Sequence, residues 1–201
     1  MKYLIYTAAF SSLMFFWGCS ETSEYKRMEK RELASGERND SLFLGVYFGM
    51  TSKKFYAHCW EMNKKELIKE GLNNSSVEYI PRELKAPGKM YFYPKFWEDK
   101  IYEMPVSFSY DAWAPWNKEL FADSLQLDVR QMFESWYGKG FIEIKHPVRG
   151  SVFVKMDGNR RISIWKEDDR VVRASFTDVP IEKIVEAQLA EQKAKVKQGA
   201  Q

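Results

Sequence analysis

The hydrophobic pattern of the chain alternates between stretches with helical spacing and stretches with strand-like spacing. Phe55, Cys59 and Met62 recur at i, i+4 and i+7, so they share one face of a helix. Thr51 suits the N-cap of that helix because its hydroxyl can accept a hydrogen bond from a free backbone N–H. The pattern therefore predicts a helix from Thr51 to about Lys69.

A second helix is predicted from Asp123 or Ser124 to Tyr137, and Gly138 supplies its stop. Its apolar side chains again recur at helical spacing; they are Leu125, Val129, Met132, Phe133 and Trp136. Residues 178–201 are predicted to form a C-terminal helix whose last part frays into a polar tail.

Short apolar or alternating runs between turn residues predict the strands. They are Ser41–Phe48, Val77–Ile80, Lys89–Phe96, Ile101–Tyr110, Phe141–Lys145, Ser151–Met156, Arg161–Lys166 and Arg170–Thr177. Asp157-Gly158 predicts a tight hairpin. Pro94 and Pro105 lie inside two of the runs, which predicts edge positions or bends because proline cannot donate to a sheet.

These elements predict an α+β fold, with helices packed on an antiparallel sheet and a C-terminal helix. The order of helix followed by strands occurs twice within the predicted domain, residues 41–177. It is consistent with two tandem helix–sheet units, residues 41–110 and 120–177. One continuous antiparallel sheet with the helices on one face is the alternative.

The first eighteen residues have the pattern of a secretory signal. Lys2 is the sole charge before Glu21, and Leu4–Trp17 is mostly apolar. This run is shorter than the roughly 20 residues that a membrane-spanning helix needs. We therefore predict a signal peptide over residues 1–18.

The junction Trp17-Gly18-Cys19 resembles a bacterial lipobox, although Phe16 and Trp17 depart from the aliphatic and small residues of that pattern. The resemblance implies a lipoprotein of the cell envelope, cleaved before Cys19 and carrying acyl chains such as palmitate on this cysteine. In proteobacterial lipoproteins an Asp after the cysteine favours the inner membrane, so Ser20 favours the outer membrane. An ordinary cleaved signal peptide and an uncleaved anchor are the alternatives.

Residues 19–40 are charged and lack a sustained apolar stripe, which predicts a flexible tether. The chain as a whole is 45% hydrophobic and 29% charged, as expected of a globular protein. Its formal charge is +3, and the basic residues are spread along the sequence. Such a balance argues against nucleic acid as a partner.

The sequence Gly49-Met50-Thr51, followed by an amphipathic helix, resembles the corresponding stretch of two families. One is the small lipoproteins of the outer-membrane β-barrel assembly machinery, and the other is the modules of β-lactamase inhibitory protein. Both families pack a helix on a small antiparallel sheet, and the second repeats that unit. The resemblance covers a short stretch and implies this arrangement for the body of the chain.

The two cysteines are Cys19 and Cys59. If Cys19 is acylated, Cys59 has no disulfide partner within the chain and is predicted to be an inert core thiol. His58 and Cys59 point about 100° apart on a helix, so they do not share a metal, and neither metal nor cofactor is expected. A nucleophilic pair of Cys59 and His146 would need an exposed thiol with a lowered pKa.

Aromatic residues are concentrated around one predicted connector. Trp97, Tyr102, Trp113 and Trp116 form the predicted interaction surface, because large flat side chains give contact area at low entropic cost. In the alternative, these side chains are buried and fill the gap between the two helix–sheet units.

No nucleophile elbow, Walker loop or dinucleotide-binding glycine pattern occurs in the sequence. We therefore expect a lipid-anchored binding or assembly module without catalytic activity, acting on a protein partner in the envelope. The contact would be made through the outer sheet face or the connector at Trp113 and Trp116. A small-ligand carrier with an apolar groove and an enzyme using Cys59 are the alternatives.

Overall fold

The computed structural model describes residues 20–71 and 75–199 of the chain. Within these residues there are four α-helices: α1 Ser20–Ser35, α2 Ser52–Lys64, α3 Ala122–Tyr137 and α4 Val179–Gly199. The same residues form nine strands: β1 Lys69–Glu70, β2 Val77–Tyr79, β3 Gly88–Phe92, β4 Lys95–Trp97, β5 Lys100–Tyr110, β6 Ile142–His146, β7 Gly150–Asp157, β8 Arg160–Lys166 and β9 Val172–Asp178. The predicted α+β class with a C-terminal helix is confirmed.

All the described strands belong to one antiparallel sheet with the order β1-β2-β3-β5-β9-β8-β7-β6, and β4 pairs with β5. The long strands β5 and β9 form its central pair, in the register Met104 opposite Phe176 and Val106 opposite Ala174. On each side of this pair, a helix precedes strands that run from the sheet edge to its centre. The sheet is thus continuous, while the division into two repeats stays a prediction.

The two prolines lie on either side of one break in strand pairing. β3 ends at Phe92 and β4 begins at Lys95, with the buried Pro94 between them. Pro105 lies in the central strand β5 rather than at an edge, contrary to one of the two predictions. It is tolerated there because β5 changes its partner on one side at this point. β3 pairs with β5 as far as Val106, and β4 pairs with β5 at Glu103, so Pro105 faces the gap between β3 and β4.

One face of the sheet carries the main core. α3 packs across it, and Phe133 lies 5.9 Å from Phe108 and 5.1 Å from Phe176, measured between ring centroids. α2 contributes Phe55, whose ring centroid is 6.3 Å from that of Phe96. These aromatic contacts bury the apolar stripes that predicted both helices.

The segment predicted as a strand over Ser41–Phe48 is a folded loop with a single bridge between Ser41 and Tyr47. Its backbone turns at Leu44 and Gly45, which have φ values of 52° and 77°. The prediction was wrong because a continuous apolar run indicates that the residues are buried, but not that their backbone is extended. Leu42, Phe43 and Val46 are indeed buried in the core.

Helix α2 begins as predicted and ends earlier than predicted. The Thr51 hydroxyl accepts a hydrogen bond from the Lys54 amide at 3.4 Å, so the N-cap is confirmed. The chain leaves the helix after Lys64, turns at Glu66 with a φ of 57°, and enters β1. β1 pairs with β2, so Lys69, which was assigned to the end of the helix, lies in the strand at the sheet edge.

The opposite face of the sheet is covered in part by α1 and α4, which corrects the prediction of a flexible tether over residues 19–40. Met28 of α1 is 8% exposed and packs with side chains of β7 and with Val179 at the start of α4. Tyr25 accepts a hydrogen bond from Arg161 at 3.2 Å, and Glu29 pairs with Lys183 at 2.6 Å. A few apolar side chains suffice for this packing because the sheet supplies the rest of the buried surface. Cys19 itself lies outside the described residues.

Candidate functional site

An open groove lies between α2 and the edge of the sheet formed by β1 and β2. Its volume is about 350 Å³. The lining is mostly apolar and includes Tyr56, Cys59, Trp60, Ile68, Val77 and Tyr93. We call it the aromatic groove, because Tyr56, Trp60 and Tyr93 are all exposed at its rim.

The local sequence of α2 explains why these rings are exposed. Phe55 is buried in the core, and Tyr56 and Trp60 follow one turn apart on the flank next to the buried stripe. The hydroxyl groups of Tyr56 and Tyr93 are 2.6 Å apart, and the Phe55 and Tyr93 rings meet edge to face at 6.2 Å. Trp60 remains 63% exposed. The rim is thus held in place by packing while its aromatic faces stay open.

The side chain of Cys59 is half-buried and lines the groove. Burial raises the pKa of its thiol to about 11. At neutral pH the side chain is therefore a protonated thiol, which is a poor nucleophile.

The structure does not bring Cys59 and His146 together. His146 lies on β6, at the sheet edge opposite to the groove. Its Nδ1 accepts bonds from the backbone amides of Val148 and Arg149, each at 3.2 Å. His58, next to Cys59 in sequence, has its Nε2 2.7 Å from the carbonyl oxygen of Leu44. Both histidines thus have local structural partners.

The predicted surface of Trp97, Tyr102, Trp113 and Trp116 is divided between two ends of the sheet. Trp97 ends β4 and Tyr102 lies near the start of β5, whereas Trp113 and Trp116 follow the end of β5. The eleven residues of β5 span about 33 Å. Trp97 donates a hydrogen bond to Gln188 of α4 at 3.2 Å. These four side chains therefore do not form one surface.

The two connector tryptophans also differ from each other. Trp113 is half-buried, donates to the carbonyl oxygen of Asp169 at 3.2 Å and packs against Phe121. Trp116 is 85% exposed. Trp113 thus fits the packing interpretation, and Trp116 fits the surface interpretation.

The three rim residues of the aromatic groove are not among the site residues that the sequence predicted. The signal in the sequence was the i, i+4 spacing of Tyr56 and Trp60, one position after Phe55 and Cys59. Aromatic residues beside an apolar stripe lie at the boundary between core and solvent. Tyr93 gave no such signal, because its place at the groove depends on the register of β3 beneath α2.

A second hollow, of about 500 Å³, lies under the loop of residues 41–44 and beside the C-terminal end of α3. The buried Arg160 lies 4.7 Å from the ring centroid of Tyr137 and donates to Asp157 at 3.0 Å. Burial raises the pKa of Tyr137, whose hydroxyl donates to the Leu42 carbonyl at 2.9 Å.

Among residues 20–71 and 75–199, no group of three or more His, Cys, Asp or Glu side chains is placed to hold a metal ion. The helices in those ranges are all too short or too polar to cross a bilayer.

No family model matches the chain, and no curated protein or solved structure matches it either. The function is therefore inferred from the residues and geometry of this chain.

Proposed function

We propose that this protein is a lipid-anchored binding module of the bacterial cell envelope, without catalytic activity of its own, which holds a protein partner in the aromatic groove. The sequence from Lys2 to Cys19 supports the anchor. The observation that carries the binding role is the open groove with its exposed rim of Tyr56, Trp60 and Tyr93. Aromatic side chains around a preformed apolar hollow are the usual anchors of protein contacts.

The chemistry of the groove favours an extended protein segment as the occupant. β1 is the terminal strand, and its outer edge pairs with no other strand among those described. An extended segment can therefore bond to the backbone of Lys69 and Glu70 while it places an apolar side chain between Trp60 and Tyr93. Hydrogen bonds along the edge would give affinity, and the hollow would select the side chain.

The position of the groove relative to the anchor supports the same function. α1 starts one residue after Cys19 and contacts β6 and β7, whereas the groove lies at β1 and β2. The two sheet edges are about 34 Å apart at a strand spacing of about 4.8 Å. A chain attached through Cys19 thus has its groove away from the point of attachment, where a partner can reach it.

Site-specific photo-crosslinking in cells tests the binding role. A crosslinking amino acid at Tyr56 is expected to capture one dominant envelope protein, identified by mass spectrometry. The additional change Trp60→Ala should weaken binding, and with it the crosslink, roughly thirtyfold, since truncating an aromatic anchor costs about 2 kcal/mol.

Trp116→Ala is the matched control, because Trp116 is also an exposed tryptophan and lies outside the groove. The account predicts that this variant keeps the full crosslink. Equal yields from the Trp60→Ala and Trp116→Ala variants would remove the groove from the proposal. A loss with Trp116→Ala alone would move the binding site to the connector.

One observation favours a second candidate function, a small-ligand carrier. The hollow beside α3 contains Arg160, whose Nε has no hydrogen-bond partner among the described atoms. Native mass spectrometry of the chain purified from its own cells would show an added mass of a few hundred daltons. A filling variant, Leu44→Trp, should lose that mass. A chain without added mass would end the carrier hypothesis for this hollow.

A further inference from the structure

The exposed cations of α1 lie on its outer side and along one flank. Lys26 and Lys30 are nearly half a turn from Met28 on a helix of 3.6 residues per turn, so they are turned away from the sheet. Arg27 and Arg31 are also exposed, and they continue the row of cations along one flank, about 100° and 60° from Met28. The sheet-facing side carries Met28 and two carboxylates with partners. Glu29 pairs with Lys183 at 2.6 Å, and Glu32 accepts from the Gly158 amide at 3.2 Å.

These four cations are mostly unneutralised. Arg31 pairs with Glu32 at 2.8 Å and remains 74% exposed. Lys26, Arg27 and Lys30 have no carboxylate within 4.0 Å among the described side chains. Like charges at i, i+4, as at Lys26 and Lys30, destabilise an isolated helix. A row of this kind is stabilised by a surface of opposite charge, and we call these four residues the basic stripe.

The basic stripe lies next to the proposed lipid anchor. Its residues are six to eleven positions after Ser20, the first residue of α1, which places them about 9–17 Å from that end of a helix that rises about 1.5 Å per residue. The potential of an anionic bilayer surface decays within about 10 Å. The stripe can therefore contact the surface if α1 lies along the bilayer, between the membrane and the sheet.

We infer that the basic stripe docks on the phosphate groups of anionic lipids in the membrane that carries the anchor, and so sets the orientation of the whole domain. This inference rests on the proposed lipid anchoring at Cys19. In the docked orientation the outer side of α1 faces the lipid headgroups. The sheet lies above it, and the aromatic groove at the far sheet edge remains accessible to a partner.

Quenching by lipid headgroups tests the docked orientation. The mature acylated chain, with Cys59→Ala and a fluorophore at Ala34→Cys on the outer side of α1, is reconstituted on two kinds of vesicle. One kind is phosphatidylcholine alone, and the other contains about one third phosphatidylglycerol. Both contain a trace of lipid with a nitroxide headgroup. We expect strong quenching on the anionic vesicles that high salt reverses, and weak quenching on the neutral vesicles.

Charge reversal on the stripe gives the matched comparison. Lys26→Glu with Lys30→Glu should shift the equilibrium from the docked to the undocked orientation roughly tenfold or more. Each basic residue near such a surface contributes a factor of about five to the docking equilibrium constant. Lys53→Glu with Lys54→Glu makes the same charge change on the exposed side of α2 and should leave quenching unchanged. Equal loss in both variants would reduce the effect to net charge and overturn the inference. If the stripe variant loses helicity, the salt dependence of the unchanged chain decides instead.

Flotation on neutral vesicles separates this inference from the proposed function. Acyl chains hold the protein on neutral vesicles regardless of the stripe. A chain that floats with neutral vesicles and shows equal quenching on both kinds keeps its anchor and refutes docking. A chain that does not float on neutral vesicles, and binds anionic ones reversibly with salt, refutes the anchor and supports docking.

Discussion

Cys59 lies in the wall of the aromatic groove, where burial raises the pKa of its thiol to about 11. Because the thiolate is the reactive form, the rate of alkylation should rise about tenfold per pH unit between pH 8 and pH 10. Mass spectrometry of the Cys59 peptide after timed labelling measures this rate.

The same labelling of the chain in denaturant is the control for Cys59. There the rate should level off above about pH 8.5, the ordinary pKa of a free cysteine. A folded chain whose rate is already constant near pH 8 would contain an activated thiol, and the hypothesis of an enzyme using Cys59 would return.

Asp128 is the buried carboxylate that fixes α3 against the sheet. Its Oδ2 accepts from the Tyr110 hydroxyl at 2.6 Å and from the Lys85 amide at 3.3 Å. Tyr110→Phe should lower the free energy of unfolding by about 1 kcal/mol, since the carboxylate keeps its other donors. Asp128→Ala should cost about 3 kcal/mol because it leaves buried donors unpaired. Urea titrations measure both values, and equal losses would contradict this ranking.

At the scale of elements, the β7–β8 hairpin and the end of β9 fix the segment that follows α1. The Asn39 amide donates to the Asn159 side chain at 2.6 Å, and Arg38 pairs with the buried Asp178 at 2.7 Å. Gly158, in the turn, has a φ of 55°, and a Cβ there would collide with the backbone carbonyl of Glu37. The hairpin and this segment therefore meet backbone to backbone.

Gly158→Ala tests that contact, and Gly150→Ala is its control. Gly150 also has a positive φ, 69°, but its Cβ would meet nothing within 4 Å. We expect a loss of about 1 kcal/mol for Gly150→Ala from backbone strain alone, and about 3 kcal/mol for Gly158→Ala from strain and collision together. Thermal or urea unfolding compares the two. Equal losses would show that the segment after α1 is not held against the hairpin.

The elements that the sequence predicted well are those with a clear period or a specific turn. The stripe from Leu125 to Trp136 predicted α3, and Asp157-Gly158 predicted the β7–β8 hairpin, which the structure confirms. The prediction of a strand after Ser41 was wrong because the apolar run there has no period that distinguishes a turn from a strand. α1 was missed because its charged sequence looks solvated, and Tyr25, Met28 and Leu33 are too few to form a sustained apolar stripe.

At the scale of the molecule, the aromatic groove could not be predicted because it depends on the order of strands. Tyr93 and α2 meet where β1 and β2 form the sheet edge, and no local pattern encodes that order. The predicted set of Trp97 and Trp116 failed as one surface for the same reason, since a long central strand separates them. These residues are close in sequence, so they were expected to be close in space, but the length of β5 keeps them apart.

The account of the whole molecule connects an anchor at Cys19, a helix at the membrane and a groove at the far edge of the sheet. Mass spectrometry of the mature N-terminus tests the first of these directly. The account predicts that the N-terminal peptide of the protein from bacterial membranes begins at Cys19 and carries the added mass of its acyl chains. An N-terminal peptide that begins elsewhere, or an unmodified Cys19, would contradict it.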